Sequence, residues 1–297
     1  MSRLAGLATV SLYVDKASED IEVVLQRALG AIEEAASYNA DLVVLPEEFD
    51  YYGLTKEGRD RAGEIIPGGP VQKRMQEAAK KYGINLVFGL REIEGDIKYN
   101  SAVVIDRNGC YVGKYRKTHL APGESSEVVA GCDYPVFKLD FGTIGITLCM
   151  EIHYPEIFTI LALQGADVIV HPTMWIDYNG NLNETLVNAR AIDNQIYMVT
   201  SHFIQMPFLS GRAMGHSRIV DPHGRTRADT SHRPGVAFAR VDLDETFEYW
   251  AQGELKERYP TLKECFLGMR KPETYGILTR PDTENSWRIK EPKLYMK

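Results

Sequence analysis

A thiol, an ammonium and a carboxylate stand at or near the ends of three expected strands in this chain. Cys149 closes Gly145-Ile146-Thr147-Leu148-Cys149 just before the charged segment Glu151 to Glu156. Lys117 lies within Tyr115-Arg116-Lys117-Thr118-His119-Leu120, and Glu47 follows Leu45-Pro46. Strand ends lie at the rim of a sheet, where pockets form. Three such side chains converging on one site would suit a cysteine hydrolase. The thiol attacks as a thiolate, and a nearby cation lowers its pKa. Lys117 can be that cation, and beside Cys149 it would also balance the negative oxygen that develops when a carbonyl or nitrile carbon is attacked. The backbone N–H of Met150, next to the sulfur at a turn, is a natural second donor to that oxygen. The departing amine or ammonia needs a proton and the later water needs a base. Glu47 can do both, and so can Glu48; residue chemistry alone does not choose between them.

Each residue also has a plainer reading. A lone cysteine after an apolar strand usually packs, and a strand-end lysine is usually solvated. Competing chemistries have less support, because the chain holds no Gly-x-Ser-x-Gly elbow, no Walker loop and no Gly-x-Gly-x-x-Gly. Cys149 and His153 are half a zinc site with no visible second half, so neither a metal nor another cofactor is expected.

The 297 residues, 44% of them hydrophobic and 25% charged, have the composition of an ordinary globular protein with material for a core. A formal net charge of −7 with no basic stripe excludes the electrostatic footprint of a nucleic-acid binder. No apolar run reaches the ~20 residues of a membrane span, and the N-terminal segment lacks a signal-peptide pattern. Cys110, Cys132, Cys149 and Cys265 are scattered without a Cys-x-x-Cys pair, which suits a cytoplasmic protein without disulfides.

The elements that must position these residues follow from periodicity. Leu7 to Val14 and Leu42 to Leu45 read as strands, and apolar spacing over Ile21 to Ala35 reads as a helix. A loop runs from Tyr52 to Pro70; a helix then spans Val71 to Tyr82 and stops at Gly83. Ile84 to Leu90, Ser101 to Asp106 and Tyr111 to Tyr115 read as strands, the last two as a hairpin across Asp106-Arg107-Asn108-Gly109. Strands Val136 to Leu139 and Ile144 to Cys149, helix Pro155 to Gln164 and strand Val168 to Val170 come next. Helix Leu182 to Asn194 and strands Ile196 to Ser201, Ser217 to Val220 and Val236 to Val241 complete an α/β pattern with mixed sheets. From Glu254 the chain is charged and proline-containing, a tail whose aromatics, Tyr259 to Tyr295, point to packing rather than disorder.

These residues resemble the nitrilase superfamily of carbon-nitrogen hydrolases. Its signatures occur in family order as Pro46-Glu47-Glu48-Phe49, Tyr115 to Leu120 and Gly145 to Cys149. Segments Pro172 to Trp175, Ala189 to Asn194 and Gly215 to Gly224 are also similar to the family. The resemblance implies a Glu47, Lys117 and Cys149 triad, with Glu47 rather than Glu48 as the base and Glu124 orienting substrate and lysine. It also implies a four-layer α-β-β-α sandwich with two mixed β-sheets. Residues 1–255 would form the hydrolase domain, and 256–297 a tail at a homodimer interface. Members acting on ω-amides commonly read Cys-Tyr-Asp-x-Arg-Phe-Pro-Glu, whereas this chain has Cys149-Met150-Glu151-Ile152-His153-Tyr154-Pro155-Glu156. Nitrilases usually carry Trp after the cysteine, where Met150 stands.

The implied activity is cleavage of a small linear amide or N-carbamoyl compound through a thioester. A nitrilase working through a thioimidate and a non-catalytic scaffold of the same fold are the alternatives, and an amine could replace water as acyl acceptor. Specificity is expected in the loops Tyr51 to Pro67 and Trp175 to Asn183. Tyr51, His153 and Trp175 are pocket candidates; His153 would contact a substrate carboxylate or amide, or be structural, and Trp175 would wall the pocket or fill core.

Overall fold

A computed structural model describes residues 2–175, 182–204, 215–245 and 254–279. The chain divides into two compact units, 1–245 and 246–297.

In the first unit β1 (Leu4–Leu12) is buried beyond its first residue, which is why it reads as an almost unbroken apolar run. Helix α1 (Glu22–Ser37) buries Val24, Leu25, Ala28, Ile32 and Ala35, a stripe at helical spacing. Strand β2 (Leu42–Val44) follows, then α2 (Lys56–Arg61), capped by Thr55, whose side chain accepts from the Gly58 N–H. Helix α3 (Pro70–Tyr82) starts on proline and ends at Gly83, which takes the left-handed conformation at φ +66°. Strands β3 (Asn85–Glu94), β4 (Ile97–Ile105) and β5 (Tyr111–Arg116) form an antiparallel meander. Then come β6 (Val136–Lys138), β7 (Thr143–Ile146), α4 (Pro155–Leu163), β8 (Val168–Pro172), α5 (Leu182–Asn194) and β9 (Tyr197–Phe203). Strands β10 (Arg218–Val220), β11 (Thr226–Asp229) and β12 (Gly235–Asp242) close the unit.

The fold is α/β with mixed pairing. The ladders run β5-β4-β3-β2-β1-β9-β8-β7-β6, with β12 on β1 and β10 on β9. Its two halves join where β1 pairs with β9, Ser11 opposite His202 and Leu12 opposite Phe203. One buried cluster packs β1 to β4 against α1 and α3 through Val10, Val43, Phe88, Ile32 and Met75. A second draws on both halves, with Leu7, Val44 and Val87 beside Ile144, Val168 and Val199. Burial of each such side chain stabilises the fold by about 1.5–3 kcal/mol relative to exposure.

Three local readings differ from expectation. Helix α2 lies inside the segment read as loop, because Lys56-Glu57-Gly58-Arg59-Asp60-Arg61 carries no apolar stripe. The expected strand Ile144 to Cys149 ends at Ile146, and Cys149 opens a 3-10 turn instead. The segment read as tail contains α6 (Glu254–Arg258) and α7 (Leu262–Gly268), the latter started by a Thr261–Glu264 capping box. Trp287 and Tyr295 of that segment, and residues 176–181 of one expected pocket loop, lie outside the described residues. Among the described residues no helix is long and apolar enough to cross a membrane.

Candidate active site

Glu47 sits just past β2, where the main chain still follows β3: the Leu45 N–H donates to the Val87 carbonyl, and the Gly89 N–H to that of Pro46. A Cβ at Gly89 would stand 2.4 Å from the Glu48 nitrogen and 2.6 Å from the Glu47 Cα, so only glycine lets the strand approach this turn. The Glu47 side chain is fully buried. Its Oε1 accepts from Asn100 Nδ2 and Lys117 Nζ, each at 2.8 Å, and its Oε2 from the Met174 N–H at 3.0 Å.

Lys117 follows β5 and is fixed by its own backbone, its N–H donating to the Asn100 carbonyl at 2.9 Å. Only 1% of it is exposed. Besides Glu47, its ammonium meets both Glu124 oxygens, at 3.0 and 2.8 Å, and Asn100 Nδ2 donates to Glu124 at 3.0 Å. One buried cation therefore lies between two carboxylates. Burial pushes the Glu47 pKa above the usual carboxylate range, and Glu124 adds to the rise while Lys117 opposes it. For Lys117 burial works against the charge, but Glu47, Cys149 and Glu124 outweigh it and hold the amine protonated.

Cys149 has φ +45°, a left-handed conformation that a non-glycine residue adopts only when its surroundings impose it. The same turn contains Glu151, whose buried carboxylate is ringed by donors. Oε1 accepts from the Tyr115 hydroxyl at 2.6 Å, the Thr118 hydroxyl at 2.7 Å and the N–H groups of Thr118 and His119 at 2.9 and 3.1 Å. Oε2 accepts from the Leu148 N–H at 2.8 Å, so one side chain ties the Lys117 segment to the cysteine turn. Within that turn the Glu151 N–H bonds to the Leu148 carbonyl, which leaves the N–H groups of Cys149 and Met150 without an acceptor inside it.

The Cys149 residue is partly exposed, and its thiol faces the Met174 carbonyl at 3.8 Å. Burial, reinforced by Glu47, pushes the thiol pKa up and Lys117 pulls it down. To attack, the sulfur must lose its proton.

Glu48 is also buried, but it ion-pairs with Arg91, Nη2 donating to Oε2 at 3.1 Å. Burial pushes its carboxyl up to about 7 against the pull of Arg91. Tyr51 lies over this pair, its ring 4.0 Å from the Arg91 guanidinium and its hydroxyl donating to Glu127 at 2.7 Å. Trp175 is partly buried beside His171 and His202. His153 is exposed at the end of the 3-10 turn and is not a partner of Glu47, Lys117, Glu124 or Cys149. A cavity of about 420 Å³ lined by Asp20, Asp50, Leu54, Arg61 and Glu64 lies elsewhere and includes none of those four residues.

Sequence reasoning missed Asn100, Met174 and Glu151 as parts of this site. Asn100 is a polar residue in an apolar run, and Glu151 an acid two residues past the cysteine, both weak signals. Met174 contributes through its main chain, which no side-chain pattern reveals.

A fold of this kind with a lysine between two carboxylates, one of them joined through Met174 to a cysteine, defines a class, and comparison with known proteins agrees. The profile described as Carbon-nitrogen hydrolase matches residues 5–250. The chain belongs to that family, within the nitrilase superfamily. A deaminated glutathione amidase of Synechocystis sp. is 32% identical over 236 residues, 74% of this chain and 86% of that protein. A nitrilase of Pyrococcus abyssi is 39% identical over 218 residues, 71% of this chain and 80% of that protein. The crystal structure of Saccharomyces cerevisiae Nit3, a member of branch 10 of the nitrilase superfamily, has a TM-score of 0.72 at 26% identity. That match covers 80% of this chain and 90% of Nit3.

Proposed function

We propose that this chain is a cysteine-dependent hydrolase that cleaves a non-peptide C–N bond of a small linear amide or N-carbamoyl compound. The observation that carries the reading is the Lys117 ammonium bonded to Glu47 and Glu124, with Met174 joining Glu47 through its N–H and the Cys149 thiol through its carbonyl. Glu47 takes the thiol proton as Cys149 forms a bond to the carbonyl carbon, and Lys117 with the Met150 N–H holds the resulting oxyanion. The C–N bond breaks as Glu47 passes its proton to the leaving nitrogen. Glu47 then deprotonates water, which adds to the thioester; the C–S bond breaks, and the sulfur recovers its proton from Glu47. A raised Glu47 pKa favours this shuttling, since it makes the carboxylate a stronger base toward the thiol and water protons. Glu124 orients Lys117, and Tyr51, His153 and Trp175 are proposed to shape the substrate pocket.

The relative named nitrilase supports a second reading, in which Cys149 forms a thioimidate from a nitrile. Ammonia assays on amides, N-carbamoyl amino acids and nitriles separate the two. Release from amides, abolished in Cys149→Ala, is the expected result; release from nitriles alone would select the second. Iodoacetamide labelling of Cys149 no faster than that of Cys110, Cys132 or Cys265 would instead favour a scaffold without turnover.

We further infer a four-layer sandwich whose sheets are the two halves joined at Ser11 and Leu12, supported by the cluster that draws on both. Residues 1–255 would be the catalytic domain and 256–297 a segment serving a homodimer interface. Free Cys110 and Cys132 on the surface suit a cytoplasmic setting.

A further inference from the structure

The main chain leaving β8 carries three consecutive N–H groups with three different acceptors. That of Thr173 bonds to the Ser201 carbonyl at 2.8 Å, that of Met174 to Glu47 Oε2 at 3.0 Å, and that of Trp175 to His202 Nε2 at 2.7 Å. The Met174 carbonyl, which faces the Cys149 thiol, and the Trp175 N–H belong to one peptide group. That group is planar, so fixing its N–H fixes the direction of its oxygen. His202 and Cys149 therefore hold opposite sides of a single rigid plane, and the preceding N–H holds the base.

His202 is built to accept. Its Nδ1 stands 2.6 Å from the Phe203 carbonyl, which can only accept, so Nδ1 carries the proton and Nε2 presents a lone pair. The residue is 2% exposed and seated on β9 opposite Ser11, its own N–H donating to Ser217 Oγ at 2.8 Å. Burial pushes its pKa down to about 4, which keeps the acceptor available at neutral pH.

We propose that His202 is a positioning residue of the hydrolase: through Nε2 it locks the Met174–Trp175 peptide and so sets the spacing of Glu47 and Cys149. This inference rests on the functional reading above, in which those two residues exchange the proton. A displacement of about 1 Å in such a pair costs on the order of 10²-fold in rate.

The test compares His202→Phe, which keeps a ring but has no acceptor, with His202→Gln, whose amide oxygen can restore one. Three quantities are measured: steady-state kinetics on an amide the wild type hydrolyses, the pH profile of Cys149 alkylation by iodoacetamide, and thermal melting. His202→Phe is expected to lose about 10²-fold in kcat, with KM little changed. The acid limb of its alkylation profile should move to higher pH, because a displaced Met174 N–H bonds Glu47 less well and so favours its charged form less. His202→Gln should stay within about tenfold of wild type, the worth of one hydrogen bond. Equal losses in both variants, or wild-type kcat in His202→Phe, would overturn the proposal.

If His202→Phe does not fold, ¹⁵N-histidine spectra of the unmodified protein decide: an Nδ1-protonated His202 is required, and an Nε2-protonated one refutes it. Absence of any wild-type amide hydrolysis would count against the functional reading alone, since the alkylation and spectroscopic results judge His202 without turnover.

Discussion

Lys117 and Glu124 are joined by two hydrogen bonds, at 3.0 and 2.8 Å, while the same ammonium reaches Glu47 at 2.8 Å. The second carboxylate raises the pKa of both Glu47 and Cys149. Glu124→Gln removes that charge, so both groups should ionise more easily and the acid limb of kcat/KM should move to lower pH. A loss of roughly 10- to 100-fold in kcat should accompany the shift, as Lys117 loses its two-point hold. A kcat/KM profile across pH checks this; an acid limb that stays put or rises would contradict it.

Lys117→Met should be worse. It leaves Glu47 and Glu124 facing each other with only Asn100 between them, and breaking a buried pair from one side costs about 3–5 kcal/mol. Turnover should vanish, and the urea midpoint should fall with it. Lys117→Arg would not rescue, because the planar fork cannot occupy the place of a compact ammonium.

Glu151 holds the cysteine turn with a carboxylate whose pKa lies below the usual range. Burial pushes the other way, but bonds from His119, Tyr115, Thr118 and Leu148 prevail. A depressed carboxylate contributes stability that is present above its ordinary value of 4.5 and is lost as pH falls through the lower folded value. Glu151→Gln should cost about 1.5–3 kcal/mol at neutral pH and flatten the acid side of melting temperature against pH. An unchanged acid slope would remove Glu151 from this role.

His171 acts in the same direction. Fully buried and bonded through Nδ1 to the Thr147 hydroxyl at 2.7 Å, it is pushed by burial from 6.5 down to about 3. Its contribution is complete above pH 6.5 and is lost as pH falls toward 3. His171→Asn should therefore show a shallower stability loss between pH 6 and 4 than wild type. Glu48 runs opposite, since its raised value favours the fold most below 4.5 and least above about 7. Denaturant midpoints at several pH values separate the two.

Glu47 and Cys149 are legible in the sequence as residues that follow apolar runs, and buried strands leave that trace, although β7 stops at Ile146 before Cys149. Their convergence is not legible. It rests on contacts between segments far apart in the chain, Lys117 with Glu47 and Met174 with both Glu47 and the Cys149 thiol, which periodicity does not reveal. Glu47 and Glu48 are indistinguishable by type; only the fold turns one toward Lys117 and the other toward Arg91. Helix α2 escapes notice because capping by Thr55, not amphipathicity, defines it, whereas α7 had a readable signature in Thr261 and Glu264. The partners supplied by Met174 are main-chain atoms, and His202 sits in a run, Tyr197–Phe203, that otherwise looks like ordinary buried strand.

The left-handed backbone at Cys149 has a consequence for anyone evolving this protein. A side chain held at φ +45° costs about 1–3 kcal/mol that glycine would not. A library sorted for heat resistance alone would therefore tend to trade the sulfur for hydrogen at that position, giving sturdier molecules with no chemistry. Screens on this scaffold need a turnover readout from the first round.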